Sequence, residues 1–424
     1  MLHNISETAL TPEYSGMIKP IESCVHCGFC LPTCPTYSTM GDEMNSPRGR
    51  IFLIKETLEG RMDPSEIEPF IDNCLGCLAC VSSCPSGVEY GELITPYRAW
   101  SESTRERSFT EKLQRFALLK TIPHPSRFRA ASKIAHFFKP IARHLPKGFG
   151  AMIELAPEEL PPKHEFKDHY PAIGPQRGQV ALLIGCAQQA LAPRINAAAI
   201  RVLTRNGIEV VIPKSQGCCG SLAMHIGESK EACRAARKNF DAFPTDVDAI
   251  ITTAAGCGSG MKEYTHLFAG QDIEEQIQAN AFSSKVMDIC EYLDQIGFIP
   301  PKTNDSAEIK VAYHDACHLA HAQKIRSAPR SLLQSVTGIT LLEPAEWEIC
   351  CGSAGSYNIE HPDTAKELGR RKVANLYDTG ADIIATGNIG CLAQIEFHSK
   401  DKDTPIRVVH TVELLDEVDR KERC

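Results

Sequence analysis

The sequence predicts a multidomain chain of mixed α+β and α/β class, with a small helical domain ahead of two repeated α/β domains. Two observations carry this. Two cysteine runs of identical spacing sit fifty residues apart near the start, and a second cysteine pattern occurs twice across the later half. A basic stretch separates the two regions. The expected boundaries are 1–100, 101–178, 179–305 and 306–424. A length of 424 residues is enough for several domains with cores of their own. With 43% hydrophobic and 23% charged residues the composition is that of an ordinary globular protein. No stretch approaches the ~18 consecutive apolar residues of a membrane span. The start, Met1 to Gly16, is polar and lacks the basic-then-apolar pattern of an export signal. A reducing compartment is therefore expected, where 19 cysteines serve metal or redox chemistry rather than disulfides.

The first run is Cys24, Cys27, Cys30, Cys34 and Pro35; the second is Cys74, Cys77, Cys80, Cys84 and Pro85. Each reads C-x2-C-x2-C-x3-C-P, the ligand run of two-cluster ferredoxins. Three closely spaced thiolates wrap one corner of a [4Fe–4S] cube, and the cysteine before proline reaches the other cube. This pairs Cys24, Cys27, Cys30 and Cys84 on one cluster, and Cys74, Cys77, Cys80 and Cys34 on the other. Four-cysteine zinc sites also use C-x2-C, but as pairs rather than runs of four. Between the runs, Arg50 to Leu58 reads as a short helix, and a second leads from Pro64 into the second run.

The net charge of −8 is unevenly spread. From Thr104 to Gly150 eleven Lys or Arg face only Glu106 and Glu111, which makes the segment +9 and the remainder −17. Apolar residues recur there at helical spacing: Phe109, Leu113, Phe116 and Leu119, then Ile134, Phe137, Phe138 and Ile141. Pro123, Pro125 and Pro140 interrupt them. Such a segment suits a solvated helix face, an anionic membrane surface or an acidic partner. No nucleic-acid reader motif accompanies the charge, so no nucleic-acid partner is expected. Pro157 to Gly178, rich in proline and charge, reads as a linker.

The rest repeats. The first copy has strands at Val180–Ile184, Val210–Ile212 and Ala249–Thr253, a helix from Glu228 to Asn239, and cysteines at Cys186, Cys218, Cys219 and Cys257. The second has strands at Lys310–Tyr313 and Ile383–Thr386, a helix from Asp363 to Leu376, and Cys317, Cys350, Cys351 and Cys391. The first cysteine precedes the CCG by 32 residues in one copy and 33 in the other. Asp248 to Cys257 and Asp382 to Cys391 are both nine apart. The cysteines fall where strands end, as ligands in α/β folds do. Adjacent cysteines suit a multi-iron cluster, and the residues leave three occupants open: a further iron–sulfur cluster, zinc, or thiols without metal. His314, His318 and His321 surround Cys317, and His225 follows the first CCG. They read as helix-end hydrogen-bonding groups or as a proton donor facing a quinone. Cys233 and Cys290 lie in amphipathic stretches and read as core thiols, and Cys424 as incidental.

Together these features resemble the iron–sulfur subunits that pair with a flavin dehydrogenase, in glycolate oxidase, anaerobic glycerol-3-phosphate dehydrogenase and lactate-utilisation systems. The same repeat occurs in heterodisulfide reductase. The resemblance is nearest to the glycolate oxidase branch. It rests on Cys24-Val25-His26-Cys27-Gly28-Phe29-Cys30, Cys34-Pro35-Thr36-Tyr37, Gly41-Asp42-Glu43, Pro47-Arg48-Gly49-Arg50-Ile51 and Cys84-Pro85-Ser86-Gly87-Val88. It continues through Gly185-Cys186-Ala187-Gln188, Cys350-Cys351-Gly352-Ser353-Ala354-Gly355 and Asn388-Ile389-Gly390-Cys391. In heterodisulfide reductase each repeat ends in C-x2-C and binds its cluster through five cysteines. Ala254 and Asn388 hold the first place of that pair here, so each repeat offers four thiols, in keeping with the glycolate oxidase branch.

The resemblance implies an electron-transfer subunit of an oxidoreductase that takes electrons from glycolate, with D-lactate and glycerol 3-phosphate as alternatives. It implies FAD on a partner subunit, a quinone acceptor, and a cytoplasmic chain held on the inner face of the membrane through residues 104–150. The chain has no G-x-G-x-x-G fingerprint, since Gly256-Cys257-Gly258-Ser259-Gly260 has the wrong spacing, and no phosphate-binding loop. Carbon oxidation needs a hydride acceptor, so it is expected on the partner and no catalytic residue here. A thiol–disulfide reductase acting at the repeats is the rival enzyme reading. Zinc-stabilised docking modules are the non-enzymatic one.

Overall fold

The computed structural model describes residues 1–5, 10–301 and 308–420; the expected boundary at 305/306 and Cys424 lie outside the described residues. The amino-terminal part is helical. Pro47–Leu58 starts at Ser46, whose side chain accepts from the Gly49 N–H, with proline at the first helical position. Pro64–Asp72 starts with a capping box between Asp63 and Glu66. With Gly91–Glu102 these helices bury Met17, Ile21, Ile54, Ile67 and Leu93 completely. That small core holds both cysteine runs at its edge.

Helices Phe109–Thr121 and Pro125–Phe138 follow, at the spacing the sequence suggests. Their apolar stripe faces outward. Phe109, Phe116 and Phe137 are 79%, 60% and 81% exposed, while Leu118 is buried. Part of the basic charge turns inward instead. Arg105 pairs with Glu68 and Asp72, Arg107 with Glu102 and Asp72, and Arg115 with Glu102 and Glu360 of the second repeat. Lys112, Arg127, Lys133 and Arg143 face solvent. The expected linker is not featureless, because β1 (His169–Tyr170) lies within it and joins the first sheet antiparallel to the strand Ile208–Val211.

The first repeat contains β2 (Gly178–Leu182), β3 (Ile208–Val211), β4 (Ala249–Thr252) and β5 (Val286–Asp288), in the order β1-β3-β2-β4-β5. The second contains β6 (Ile309–His314), β7 (Ile339–Leu342), β8 (Ile383–Thr386) and β9 (Arg407–His410), in the order β7-β6-β8-β9. Apart from β1 every pairing is parallel, and the two sheets have the same topology. Strand order reverses beside β2 and beside β6, which places a binding crevice at their carboxyl ends.

The repeats share one core, running from Val180, Leu203 and Ile251 to Val311, Ile384 and Leu415. Helix Pro193–Arg205 lies against Thr411–Arg420, and Ile289–Gln295 against Ser327–Gln334. Two polar ties reinforce the joint. Asp416, nearly inaccessible, receives the Arg201 guanidinium at 2.6 and 3.0 Å and Arg205 at 3.0 Å. His410, buried, donates from Nε2 to the Thr253 carbonyl at 2.7 Å and accepts at Nδ1 from the Val412 N–H. Both ring nitrogens are satisfied by the neutral form, and burial holds its pKa down at about 4.

Candidate metal centres

The two amino-terminal runs adopt one loop geometry. In the first, His26 and Gly28 have φ of 56° and 87°; in the second, Gly76 and Leu78 have φ of 62° and 60°. A left-handed residue thus flanks the second cysteine on either side in both runs. For His26 and Leu78 that backbone is costly, and such strain is kept where a loop must wrap something closely. Cys24, Cys27, Cys30 and Cys84 line one pocket, which Cys80 also borders. Cys34 faces Cys77 and Cys80 electrostatically. Backbone N–H groups point at sulfur, from Gly76 to Cys74 at 3.4 Å and from Val88 to Cys84 at 3.5 Å. All described cysteines are free thiols. Clustered sulfurs, donors aimed at sulfur and left-handed loops fit a pair of cubes.

The two sets of four differ in charge. Arg50 is fully buried, donating to the Phe70 carbonyl at 2.6 Å and to Thr36 Oγ1 at 3.0 Å, with Nη1 4.0 Å from Cys34 Sγ. Burial pushes the Cys74 thiol up, but Arg50 and Arg98 outweigh it and hold it below the usual range. Burial raises Cys30, in the other set, to about 11, and it also pushes Cys77 and Cys80, in Cys74's own set, well up, so the contrast lies in Arg50's place beside Cys34 and Cys74.

In the repeats the cysteines occupy equivalent places. Cys186 and Cys317 follow β2 and β6, and the CCG loops follow β3 and β7. Cys257 and Cys391 lie in the first turn of helices Ala255–Lys262 and Ile389–Ser399. Gly220 and Gly352 have φ of 80° and 86°, and a Cβ on Gly352 would lie 2.7 Å from the Ala365 carbonyl. Glycine after each pair is thus required both by conformation and by close approach of the next helix. Cys186 and Cys218 are 3.5 Å apart at sulfur, and Cys317 and Cys350 3.8 Å. In each repeat these sulfurs continue as a chain to Cys219 and Cys257, or to Cys351 and Cys391.

The two sets face each other. All eight thiols line one cavity of about 220 Å³, which Gly76 of the second run, His225 and His318 also border. Asn388 spans the sets, donating to Cys391 Sγ at 3.3 Å and accepting from the Gly256 N–H at 3.4 Å. Cys77 confronts Cys317 and Cys350. The second run, the second repeat and the first repeat therefore form a contiguous series of sulfur sites. A larger cavity, about 370 Å³, opens beside Leu78 and Val81 of the second run, with Met224, Leu267, Glu263 and His321 in its walls. His321 accepts at Nδ1 from Ser82 Oγ at 2.8 Å and donates from Nε2 to the Glu348 carbonyl at 3.1 Å. Burial raises the pKa of Glu263.

The histidines the sequence singled out go separate ways. His318 sits on a single π turn, His318–Ala322, and reaches the Gly76 backbone. His314 is not at a helix end: it closes β6, buried, with its ring beside Cys351 and Cys391. Cys233 and Cys290 are buried in helices Ser229–Ala242 and Ile289–Gln295. Sequence reasoning placed Arg50 at the start of a helix but missed its role beside the cysteines, and it missed Lys372, buried with its ammonium on the Glu346 carbonyl and facing Cys350 and Cys351. The available signal for both was a cation at a core-facing position of a helical pattern, Arg50 with Ile51 and Ile54, Lys372 with Leu368 and Leu376.

Comparison with known proteins agrees with this layout. A 4Fe-4S dicluster domain matches residues 20–88, and a cysteine-rich domain of the CCG type matches 180–262 and 311–396. The chain is 34% identical to the glycolate oxidase iron-sulfur subunit of Escherichia coli over 98% of this chain and 100% of that protein. It is 35% identical to a probable glycolate oxidase iron-sulfur subunit of Bacillus subtilis, over 93% of each. Lactate utilization protein A of Bacillus pumilus is 30% identical over 56% of this chain and 98% of its own. A hypothetical protein from Helicobacter pylori, solved by crystallography, shares the fold with a TM-score of 0.52 at 10% identity, over 96% of this chain and 72% of that one.

Proposed function

The chain belongs to the glycolate oxidase iron–sulfur subunit family, and from that premise we propose that it relays electrons from a flavin-bearing partner to a membrane quinone. Conversion of glycolate to glyoxylate releases two electrons and two protons. The flavin partner takes the pair, and the quinone consumes two electrons and two protons on becoming quinol. Iron–sulfur clusters, when bound, carry one electron at a time between the two. In this reading Cys24, Cys27, Cys30 and Cys84 hold one cube, Cys74, Cys77, Cys80 and Cys34 the other, and the eight CCG thiols hold further metal.

The observation that carries the proposal is the contiguity of the sulfur sites, with Cys77 against Cys317 and Cys350, and both repeats on one cavity. The larger cavity beside Leu78 and Val81 supports the quinone end, being mostly apolar with Glu263 and His321 in its wall. Exposed Phe109, Phe116 and Phe137 beside solvent-facing Lys112, Arg127 and Lys133 support docking on an anionic bilayer. Among the described residues no helix is long and apolar enough to cross a membrane, so the attachment proposed is peripheral.

The test is anaerobic purification of the tagged chain from its own cells. Co-purifying flavin and glycolate-dependent bleaching of a quinone-analogue dye are expected. Likeness to the lactate utilization proteins makes D-lactate the control substrate. Full dye reduction by the flavin partner alone would refute the relay.

A further inference from the structure

The two repeats carry the same four thiols, yet their surroundings are unequal at one position. Three residues before Cys317 stands His314; three residues before Cys186 stands Leu183, which packs in the first repeat's apolar core. His314 is 1% exposed, and neither ring nitrogen has a hydrogen-bond partner among the described residues. A ring nitrogen of His314 and the sulfurs of Cys351 and Cys391 all lie within 4.8 Å of one another. Burying an imidazole with both nitrogens unmatched carries the full desolvation cost of each unmade bond. Binding of one nitrogen to a metal removes that cost on one side. On the other, Thr386, paired in register with His314 on the adjacent strand, also has a buried, unpartnered Oγ1. A metal-bound imidazole commonly donates its other N–H to an oxygen acceptor, and Thr386 Oγ1 is the unmatched oxygen at the paired position.

We propose that His314 is a metal ligand, so that the second repeat binds its metal through thiolates plus one imidazole while the first uses thiolates alone. The inference rests on reading the repeats as metal centres and adds that the two centres are chemically distinct. The metal is thiophilic: iron of a cluster, or zinc. Imidazole is neutral where thiolate is anionic, so a centre with one nitrogen donor carries less negative charge. Replacement of thiolate by histidine is known to raise cluster potentials. The second repeat would then be the easier of the two to reduce, a difference that the identical cysteine spacing hides.

The experiment uses the full chain purified without oxygen, as wild type, His314→Leu and His314→Cys. Leucine copies the first repeat, and cysteine keeps a ligand but removes the nitrogen. Iron, zinc and acid-labile sulfide are counted per chain. Pulsed EPR of the reduced protein reads nitrogen coupled to a cluster, and X-ray absorption at the zinc edge reads a ~2.0–2.1 Å nitrogen shell beside ~2.3 Å sulfur. The expected result is strong imidazole coupling, or the zinc–nitrogen shell, in wild type and in neither variant. His314→Leu should weaken metal retention against a chelator by at least the ~10-fold that loss of an outer-shell partner costs. His314→Cys should recover retention without the nitrogen signal. Metal beyond the two cubes with identical retention and spectra in all three proteins would overturn the histidine ligand and leave the relay standing. No metal beyond the two cubes would overturn both the ligand and the reading of the repeats.

Discussion

At the scale of single residues, Cys84 and Arg50 make the clearest commitments. Cys84 borders the pocket of Cys24, Cys27 and Cys30 although it lies in the other run. Cys84→Ala is expected to damage the cluster held with those three and spare the one held by Cys74, Cys77, Cys80 and Cys34. EPR of the reduced chain checks this, and selective loss of the second cluster would refute the crossed pairing. Arg50 places a buried positive charge beside Cys34 and Cys74 and none beside Cys24. A cation stabilises the more negative, reduced state. Arg50→Gln should therefore lower that cluster's potential by on the order of 100 mV, roughly 2 kcal/mol, with the other cluster little changed. Arg50→Lys should recover much of the difference. An EPR-monitored redox titration resolves the two. Cys84's expected partners could be read from the spacing of the two runs, whereas Arg50's could not, because a guanidinium's partner depends on how separate helices meet.

At the scale of elements, the helices Phe109–Thr121 and Pro125–Phe138 show where pattern and packing part. Their apolar spacing is legible in sequence, and so is their existence, since Ser108 with Glu111 forms a capping box. What the pattern cannot say is which side of it faces a core. Here the arginines Arg105, Arg107 and Arg115 turn inward to carboxylates of other helices, Glu68, Asp72 and Glu360 among them, and the phenylalanines turn out. If that face lies on a bilayer, Phe116→Ser with Phe137→Ser removes two inserted rings, each worth ~1.5–3 kcal/mol of burial. Binding to vesicles containing anionic lipid should fall by ~100-fold or more, and wild-type binding should weaken as salt screens the lysines. Unchanged sedimentation with vesicles would assign the face elsewhere. The strands divide similarly. Apolar runs such as Ala249–Thr252 and Ile383–Thr386 stand out, and Ile339–Leu342 is as apolar though sequence reasoning passed over it, while Val286–Asp288 and Arg407–His410 are too short or too mixed to be seen without their partners. The strand at His169–Tyr170 exists only because β3 offers it an edge.

At the scale of the whole molecule, the repeat was plain in the spacing of its cysteines, but the meeting of its two sites across one cavity was not. That depends on helix faces such as Pro193–Arg205 against Thr411–Arg420, which each repeat's own pattern leaves as merely apolar. His410 reports on that joint. Its folded pKa of about 4 lies below the ~6.5 of an unfolded histidine, so between those values the unfolded chain binds more protons. The stabilisation is complete above pH ~6.5 and is lost as pH falls through the window to about 4, on the order of 3 kcal/mol. Denaturation midpoints measured from pH 7 to 4 should fall with acidification, and His410→Asn should flatten the fall.

The continuous core between the repeats also bears on how far the two sites can diverge. A dimer of identical subunits carries every substitution twice, so a residue that improves one site is imposed on the other. Two copies joined in one chain and sealed by a common core form a fixed pair that cannot exchange halves. Each substitution is then made once, on one side only. Position 314 can hold an imidazole while position 183 keeps a leucine, and position 388 can reach across as an asparagine while position 254 stays a small alanine. The tandem arrangement thus turns symmetry into direction: its two ends are free to become an entrance and an exit.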